Sequence, residues 1–429
     1  MDYLIQSETL EGIGNAIRAK TGGTGALTPA EMAKSVEDEL VKPAGTVQIT
    51  TNGTHNIAEY DKAEVNVPTG GGGAGIYGAE WAGTSDPSWI RTDDAANFSD
   101  PVPYVGGMTS GYGSPFDNIM PWAGMQIVED AEAGTLVSVP KFWYKLSGGG
   151  GSPLKIQIAN HAESGFSVSP MHMDRGDGKG ERGIAFIGRY HCDTNYKSTT
   201  GVKPKVSITR STARSGIHAL GNNVWQGDFA MRFTIWLLYL VEYADWGSQW
   251  VIGAGCGNNT ATENMGYTDS MPYHTGTNLS NSHDFGCGTQ YRYIEGLWDN
   301  CYDWLDGCYY NSSGFNLIKN PASFSDSSGG TLAGLPVSGT PKVMSVSNNG
   351  GYPIFYQTTT GGSYESSTGG SITGEGSYVP DRWIFGSSSP CLYAGGSFDR
   401  VANHGLFFVR SYGSASAYAS LGCRLQKLP

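Results

Sequence analysis

Hydrophobic positions change their period several times along the chain. Across residues 228–243, Phe229, Phe233, Trp236, Leu237, Leu240 and Val241 recur at helical spacing, with Asp228 at the capping position. This stretch is apolar nearly all round, which places the predicted helix inside, against a sheet. Two shorter helices are predicted at residues 10–18 and 29–40. The first carries a stripe of Ile13, Ala16 and Ile17. The second opens on Thr28-Pro29-Ala30-Glu31, which supplies a cap, a proline at the first helical position and a glutamate three residues after the cap. Residues 21–25 break the pair. Helices this short are marginal alone, so their expected partner is another chain, copies of themselves first; a loose tail is the plainer alternative.

Elsewhere the period is two. Val47 and Ile49, then Asn52-Gly53, then Val65 and Val67 predict a β-hairpin, and Gly70 to Gly73 read as a linker. Strand-like segments at 142–145 and 154–158 flank a second glycine run, 148–151, which reads as a loop tip. Residues 296–306 form a further ordered aromatic segment with Gly307 as a stop. Residues 323–377, rich in Ser, Thr and Gly, are expected as long surface loops. The fold class is therefore α+β, in three units. Residues 1–42 form a helical attachment or oligomerisation module, 43–74 a hairpin module with linker, and 75–429 a main domain of short strands and few helices.

Composition sharpens this. Of 429 residues, 63 are glycine and 15% are charged, while 11 Trp, 24 Tyr and 15 Phe exclude a disordered chain. The net charge of −12 argues against a nucleic-acid partner and an anionic membrane surface. The most apolar run, 233–241, is far shorter than the roughly 20 residues a bilayer core needs. Met1-Asp2-Tyr3 lacks the opening of a signal peptide, so folding in a cytoplasm is expected. Seven cysteines without a CxxC pattern are expected as buried, reduced thiols.

Local motifs for chemistry are few. The eight histidines show no metal-ligand spacing, and no nucleophile elbow or phosphate loop occurs. Residues 174–181 do not follow the ligand order of a calcium loop and read as a polar turn, and Arg175-Gly176-Asp177 as a coincidental adhesion tripeptide. Asp299, Asn300, Asp303 and Asp306 offer oxygen ligands for one structural Ca²⁺, with capping as the stronger competing reading. No other cofactor is expected.

Two segments carry a resemblance. The run Gly296-Leu297-Trp298-Asp299-Asn300-Cys301-Tyr302-Asp303-Trp304 resembles the Gly-x-x-x-Asn-x-x-Glu-Trp motif of the formylglycine-generating-enzyme superfamily. Gly395-Gly396-Ser397-Phe398 and Leu421-Gly422-Cys423-Arg424-Leu425 are similar to its Gly-Gly-Ser-aromatic opening and Ile-Gly-Phe-Arg-Leu closing strand. Asp303 stands for the usual Glu and Cys423 for the usual Phe. The resemblance implies a C-type-lectin-like fold for the main domain. The enzymes of that superfamily use a cysteine pair shortly after the Gly-Gly-Ser-aromatic motif, but no cysteine occurs here between Cys391 and Cys423. Without a thiolate there is neither nucleophile nor copper ligand, so that oxidase chemistry has no carrier and the favoured reading is not an enzyme.

The tail is more similar to the variable proteins of diversity-generating retroelements, which include phage tropism determinants. Residues 10–32 and 49–67 are similar to modules of phage tail and baseplate proteins, and residues 140–190 to the same variable proteins. The resemblance implies a tail-tip receptor-binding protein in the virion, partnered by tail or baseplate proteins and by a host-surface protein or glycan. A homo-oligomer is implied, with a trimer favoured. The alternatives are a tail-associated enzyme degrading a surface glycan and a purely structural baseplate or decoration protein.

The variable segment is placed at residues 392–425. Between Leu392 and Cys423 there is no Lys, Gln, Glu, Met or Trp. Those are the five types that randomising the adenines of an Asn codon cannot produce. The expected contact face is Ser397, Phe398, Asp399, Arg400, His404, Arg410, Tyr412, Gly413, Tyr418 and Ser420. Its tyrosines give rigid amphipathic area and its arginines planar donors, a palette shared with antibody paratopes. Small residues from Ser414 to Ala417 allow close approach. Gly395, Gly396, Gly422, Arg424 and Leu425 are expected as framework, and Leu406-Phe407-Phe408 as core.

Overall fold

The computed structural model describes residues 74–429 apart from 84–87, 151, 258, 281–283, 285, 331–342, 348–351, 359–380, 382, 386–388 and 400–403. Before residue 74 it describes three strands, Thr46–Ile49, His55–Asn56 and Lys62–Val65. The helices expected at 10–18 and 29–40 and the Gly70–Gly73 linker lie outside the described residues.

Strands far outnumber helices, as in an α+β or mostly-β fold, with three α-helices among the described residues: α1, Arg210–His218; α2, Phe229–Tyr243; and α3, Ser248–Val251. None is long and apolar enough to cross a membrane. The helix expected at 228–243 forms as α2. Asp228 caps it, accepting a bond from the Met231 N–H at 2.7 Å. All fifteen residues of α2 are buried, as its all-round apolar pattern requires. It packs on the strands Ile76–Trp81 and Ser152–Ala159, and Trp236 meets Phe355 and Phe407 with ring centroids 5.9 and 5.5 Å apart. Leu406, Phe407 and Phe408 have no exposed surface, as expected for core.

A helix buried all round carries its charges inward, and each must find partners there. Arg232 donates to the Leu297 and Leu406 carbonyls, each at 2.7 Å. Glu242 accepts from the Tyr291 hydroxyl at 2.8 Å and from Arg292 Nε at 3.1 Å. α2 thereby anchors two segments, around residues 297 and 406, that flank the C-terminal region.

Three larger sheets surround this core. One contains the hairpin Trp143–Gly149 and Ser152–Ala159, with Gly148 and Gly149 of the second glycine run at the end of its first strand. A six-stranded sheet includes Gly134–Pro140, Ile184–Gly188 and the last strand, Leu425–Lys427, which lies between Ile184–Gly188 and Val224–Gln226. A five-stranded sheet has the order Trp383–Ile384, Val409–Tyr412, Cys391–Ala394, Tyr302–Leu305, Leu421–Gly422.

Arg424 stands between the last two sheets. Its side chain is fully buried. It donates to the carbonyls of Gly188 (2.9 Å), Arg189 (3.0 Å), Glu295 (2.7 Å) and Gly296 (3.3 Å), and to Asp303 Oδ2 at 3.1 Å. His191 Nδ1 sits 2.8 Å from Asp303 Oδ1. Burial alone would push the Asp303 carboxyl up, but the neighbouring His191 and Arg424 reverse this and hold it at about 2.

Two expectations are corrected. Thr46–Ile49 and Lys62–Val65 are strands, yet they pair in parallel, Thr46 with Lys62 through Ile49 with Val65. A two-residue Asn-Gly turn joins antiparallel strands that abut it, whereas residues 50–61 leave the length a parallel crossover needs. Within 323–377, Val343–Ser347 and Ile354–Thr358 form an antiparallel hairpin in place of a surface loop. Ile354 and Phe355 are fully buried, and the Phe355 ring is drawn in by apolar contact with Phe233, Trp236 and Trp246.

Removing one partner of the Asp303–Arg424 pair leaves a buried, uncompensated charge. Asp303→Ala and Arg424→Met are each expected to lower the unfolding free energy by about 3–5 kcal/mol in urea titrations. Because the folded carboxyl titrates below its unfolded value of 3.8, its stabilisation is present above that value and is lost as pH falls toward about 2. Urea midpoints measured down to about pH 2.5 should fall for the parent and lack this component in Asp303→Asn.

Candidate functional site

The five-stranded sheet sorts its side chains by period two. Trp304 lies opposite Tyr393, and Tyr393 opposite Arg410. Tyr302 and Tyr412, two positions along their strands, therefore share that face. Tyr302 and Tyr393 are 6% and 4% exposed, with rings 4.8 Å apart. They form the floor of a pocket of about 230 Å³ whose other lining residues are Asp399, Arg410, Tyr412, Tyr418, Ser420 and Leu421.

The aromatic series continues outward. Tyr393 and Tyr412 lie 5.5 Å apart, Tyr412 and Tyr418 5.2 Å, and Tyr418 is 49% exposed. The Arg410 guanidinium stands 5.1 Å from the Tyr412 ring centre. The Tyr418 backbone is fixed from both sides, its carbonyl accepting from Ser207 and Leu421 at 3.0 Å each. Stacked rings, a planar cation and a carboxylate on a fixed backbone can recognise a flat apolar face with polar edges.

Five of the ten expected contact residues, Asp399, Arg410, Tyr412, Tyr418 and Ser420, meet in this pocket. Gly413 is half-buried beside Tyr412, and its carbonyl accepts from Ser416. His404 is half-buried behind the floor, 4.1 Å from the Phe408 ring. Arg400 lies outside the described residues. Ser397 and Phe398 are corrected: Ser397 is fully buried and Phe398 is 8% exposed. The Ser397 hydroxyl donates to Asp399 Oδ1 at 2.7 Å, and the Phe398 N–H to the Asn300 carbonyl at 3.0 Å. These two residues hold the entry to the segment in place and present no contact surface.

The expected framework does behave as one. Gly395 has φ +86°, and side chains there and at Gly396 would strike the Leu297 and Trp298 carbonyls. A side chain at Gly422 would come within 2.9 Å of Cys301 Sγ and the Lys205 carbonyl. Tyr302, Tyr393 and Leu421 are the lining residues that reading by motif misses. Pairing the alternation of residues 302–304 with that of 391–394 is the signal that finds the two tyrosines.

The four oxygen-bearing residues at 299–306 do not make one ligand set. Asp299 accepts N–H bonds from Cys256, Gly288, Thr289 and Asn300. Asp303 faces Arg424 and His191, Asp306 takes Arg214 at 2.5 and 2.9 Å, and Asn300 bonds the Glu263 backbone. The arginine of the 175–177 tripeptide is also buried, paired with Asp228 at 2.5 Å.

Cysteine usage is corrected too. Cys256 and Cys287, with Cα atoms 4.4 Å apart, form a disulfide, while Cys192, Cys301, Cys308, Cys391 and Cys423 are buried and free. Their separation of 31 residues carries no signal; the carboxylate of Asp299 gathers the two segments by binding Cys256, Gly288 and Thr289. No protein-family model matches the chain, and no curated protein matches it.

Tyr418→Ala, at the exposed rim, should leave stability within about 0.5 kcal/mol of the parent. Tyr393→Ala, at the floor, should cost about 3 kcal/mol or more by thermal or urea unfolding. Thiol titration of the denatured, unreduced protein should count five reactive cysteines, rising to seven after reduction.

Proposed function

We propose that this chain is a phage tail-tip adhesin whose C-terminal segment binds a host-surface receptor. The carrying observation is the convergence of Asp399, Arg410, Tyr412, Tyr418 and Ser420, all from the segment free of the five residue types, on one tyrosine-floored pocket. In this reading the main domain is a C-type-lectin-like scaffold, supported by the motif residues acting as frame: Gly395 and Gly396 pressed on the 297–298 backbone, Arg424 and Asp303 buried as a pair. Diversification then rewrites the walls while the frame stays constant.

The mechanism is adhesion. Rigid aromatic walls lose little rotamer entropy on contact, and Arg410 supplies directional donors. Several weak copies on one particle, arranged by the N-terminal segment as a trimer or other homo-oligomer on the tail or baseplate, raise the effective concentration of the next contact. The place of action is the virion, and the receptor a surface protein or glycan.

Binding of the labelled full chain to a panel of candidate bacterial hosts tests this. Arg410→Ala and Tyr412→Ala should each weaken binding to the recognised host at least about tenfold with parental melting curves. Parental binding by both variants, or no binding of the parent to any host, contradicts the reading.

A further inference from the structure

A second pocket, of about 240 Å³, lies away from the variable segment and is lined by Asp117, Asn118, Gln126, His274, Arg292 and Tyr293, with Trp122, Ala123 and Met125. It does not depend on the adhesin reading. Its wall includes a turn built from residues that do not suit it. The strands Thr289–Tyr291 and Ile294–Glu295 pair Tyr291 with Ile294, leaving Arg292-Tyr293 as a two-residue turn. Both residues have positive φ, 47° and 68°. Such turns favour Asn-Gly, and bulky side chains rarely adopt this conformation.

Arg292 is explained by its partners. Its guanidinium donates to Glu242 from Nε at 3.1 Å and from Nη2, and Nη1 stands 2.9 Å from Asp117 Oδ1. Nη1 also lies 2.7 Å from His274 Nε2. Nε2 also stands 3.2 Å from Asp117 Oδ1, so it lies between a donor and an acceptor. Burial and the Arg292 charge push the His274 pKa below its ordinary value, consistent with a neutral ring. Asp117 is further held by the Tyr273 hydroxyl at 2.7 and 2.8 Å.

Tyr293 is half-buried, and its ring packs against the main core. Its ring lies 5.0 Å from that of His274, and its hydroxyl has no partner among the described residues. The same holds for the Asn118 amide, Gln126 Oε1 and His274 Nδ1. These donors and acceptors line one concavity beside aromatic faces. The surrounding charges, one Arg against Glu242 and Asp117, leave an excess of one negative charge, which disfavours anions.

From this geometry we infer that the pocket is a second binding site, for a single neutral sugar ring. Its volume lies below the roughly 300 Å³ at which sites for drug-sized ligands begin. Tyr293 offers a face to the apolar side of the ring, and Asn118, Gln126 and His274 meet its hydroxyl or acetamido groups. Arg292, clamped by Glu242 and Asp117, fixes the turn that aims Tyr293, so the backbone conformation is kept for the side chain it presents.

Titration calorimetry of the full chain with glucose, galactose, N-acetylglucosamine, N-acetylgalactosamine and glucuronate tests this. At least one neutral sugar should bind more tightly than glucuronate. Asn118→Ala and Tyr293→Gly should each weaken it at least about tenfold. Tyr293→Gly gains a residue suited to a φ of 68° but loses the ring's packing on the core, so Asn118→Ala, at an exposed position, is the variant that should melt as the parent does. Arg410→Ala should leave this binding unchanged, which separates the site from the variable face. Any of three results overturns the inference: no neutral sugar binds, glucuronate binds as well, or the sugar is lost with Arg410→Ala and kept by Asn118→Ala.

Discussion

Arg424 is buried just before the last strand, and its side chain bonds both the end of Ile184–Gly188 and the 295–303 segment. A guanidinium without water is favoured where its donors are met, because each unmet donor carries the cost of desolvation. The four carbonyls and Asp303 must therefore hold one arrangement. That arrangement sets the position of Tyr302, one residue before Asp303, and through the sheet that of Tyr393 and Arg410. The pocket floor inherits its rigidity from a polar cluster beneath it.

The same device recurs. Arg232 holds the 297 and 406 carbonyls from inside α2, and Arg292 is clamped by Glu242 and Asp117. In each case a buried cation of fixed planar geometry ties segments far apart in sequence. A chain with so many short strands and long connections needs such ties. They carry the frame from beneath, and the half-exposed Tyr418 side chain at the rim is the one left most open to change. The Cys256–Cys287 disulfide adds a covalent tie next to Asp299 and Asn300, which in turn hold Phe398.

The sequence was most legible where a pattern and its physical cause coincide. α2 could be read from helical spacing and Asp228, and its depth from the absence of a polar face. The framework role of Gly395, Gly396 and Arg424 and the core role of Leu406-Phe407-Phe408 were also readable. Pairing across long separations was not. The parallel register of Lys62–Val65, the Cys256–Cys287 bond and the tyrosine floor depend on contacts between distant segments, which local spacing does not encode. Ser397 and Phe398 were misplaced for a related reason: polarity and aromaticity suggested contact, but the Asn300 carbonyl and the Asp399 carboxylate claim them.

The central claim is a division of labour between a rigid frame and permissive walls. It is tested most directly by two displayed libraries sorted for protease resistance, one randomising Asp399, Arg410, Tyr412, Tyr418 and Ser420, the other Asp303, Gly395, Gly396, Gly422 and Arg424. The account predicts that most wall variants remain folded while nearly all frame variants are cleaved. Equal losses from the two libraries would contradict it.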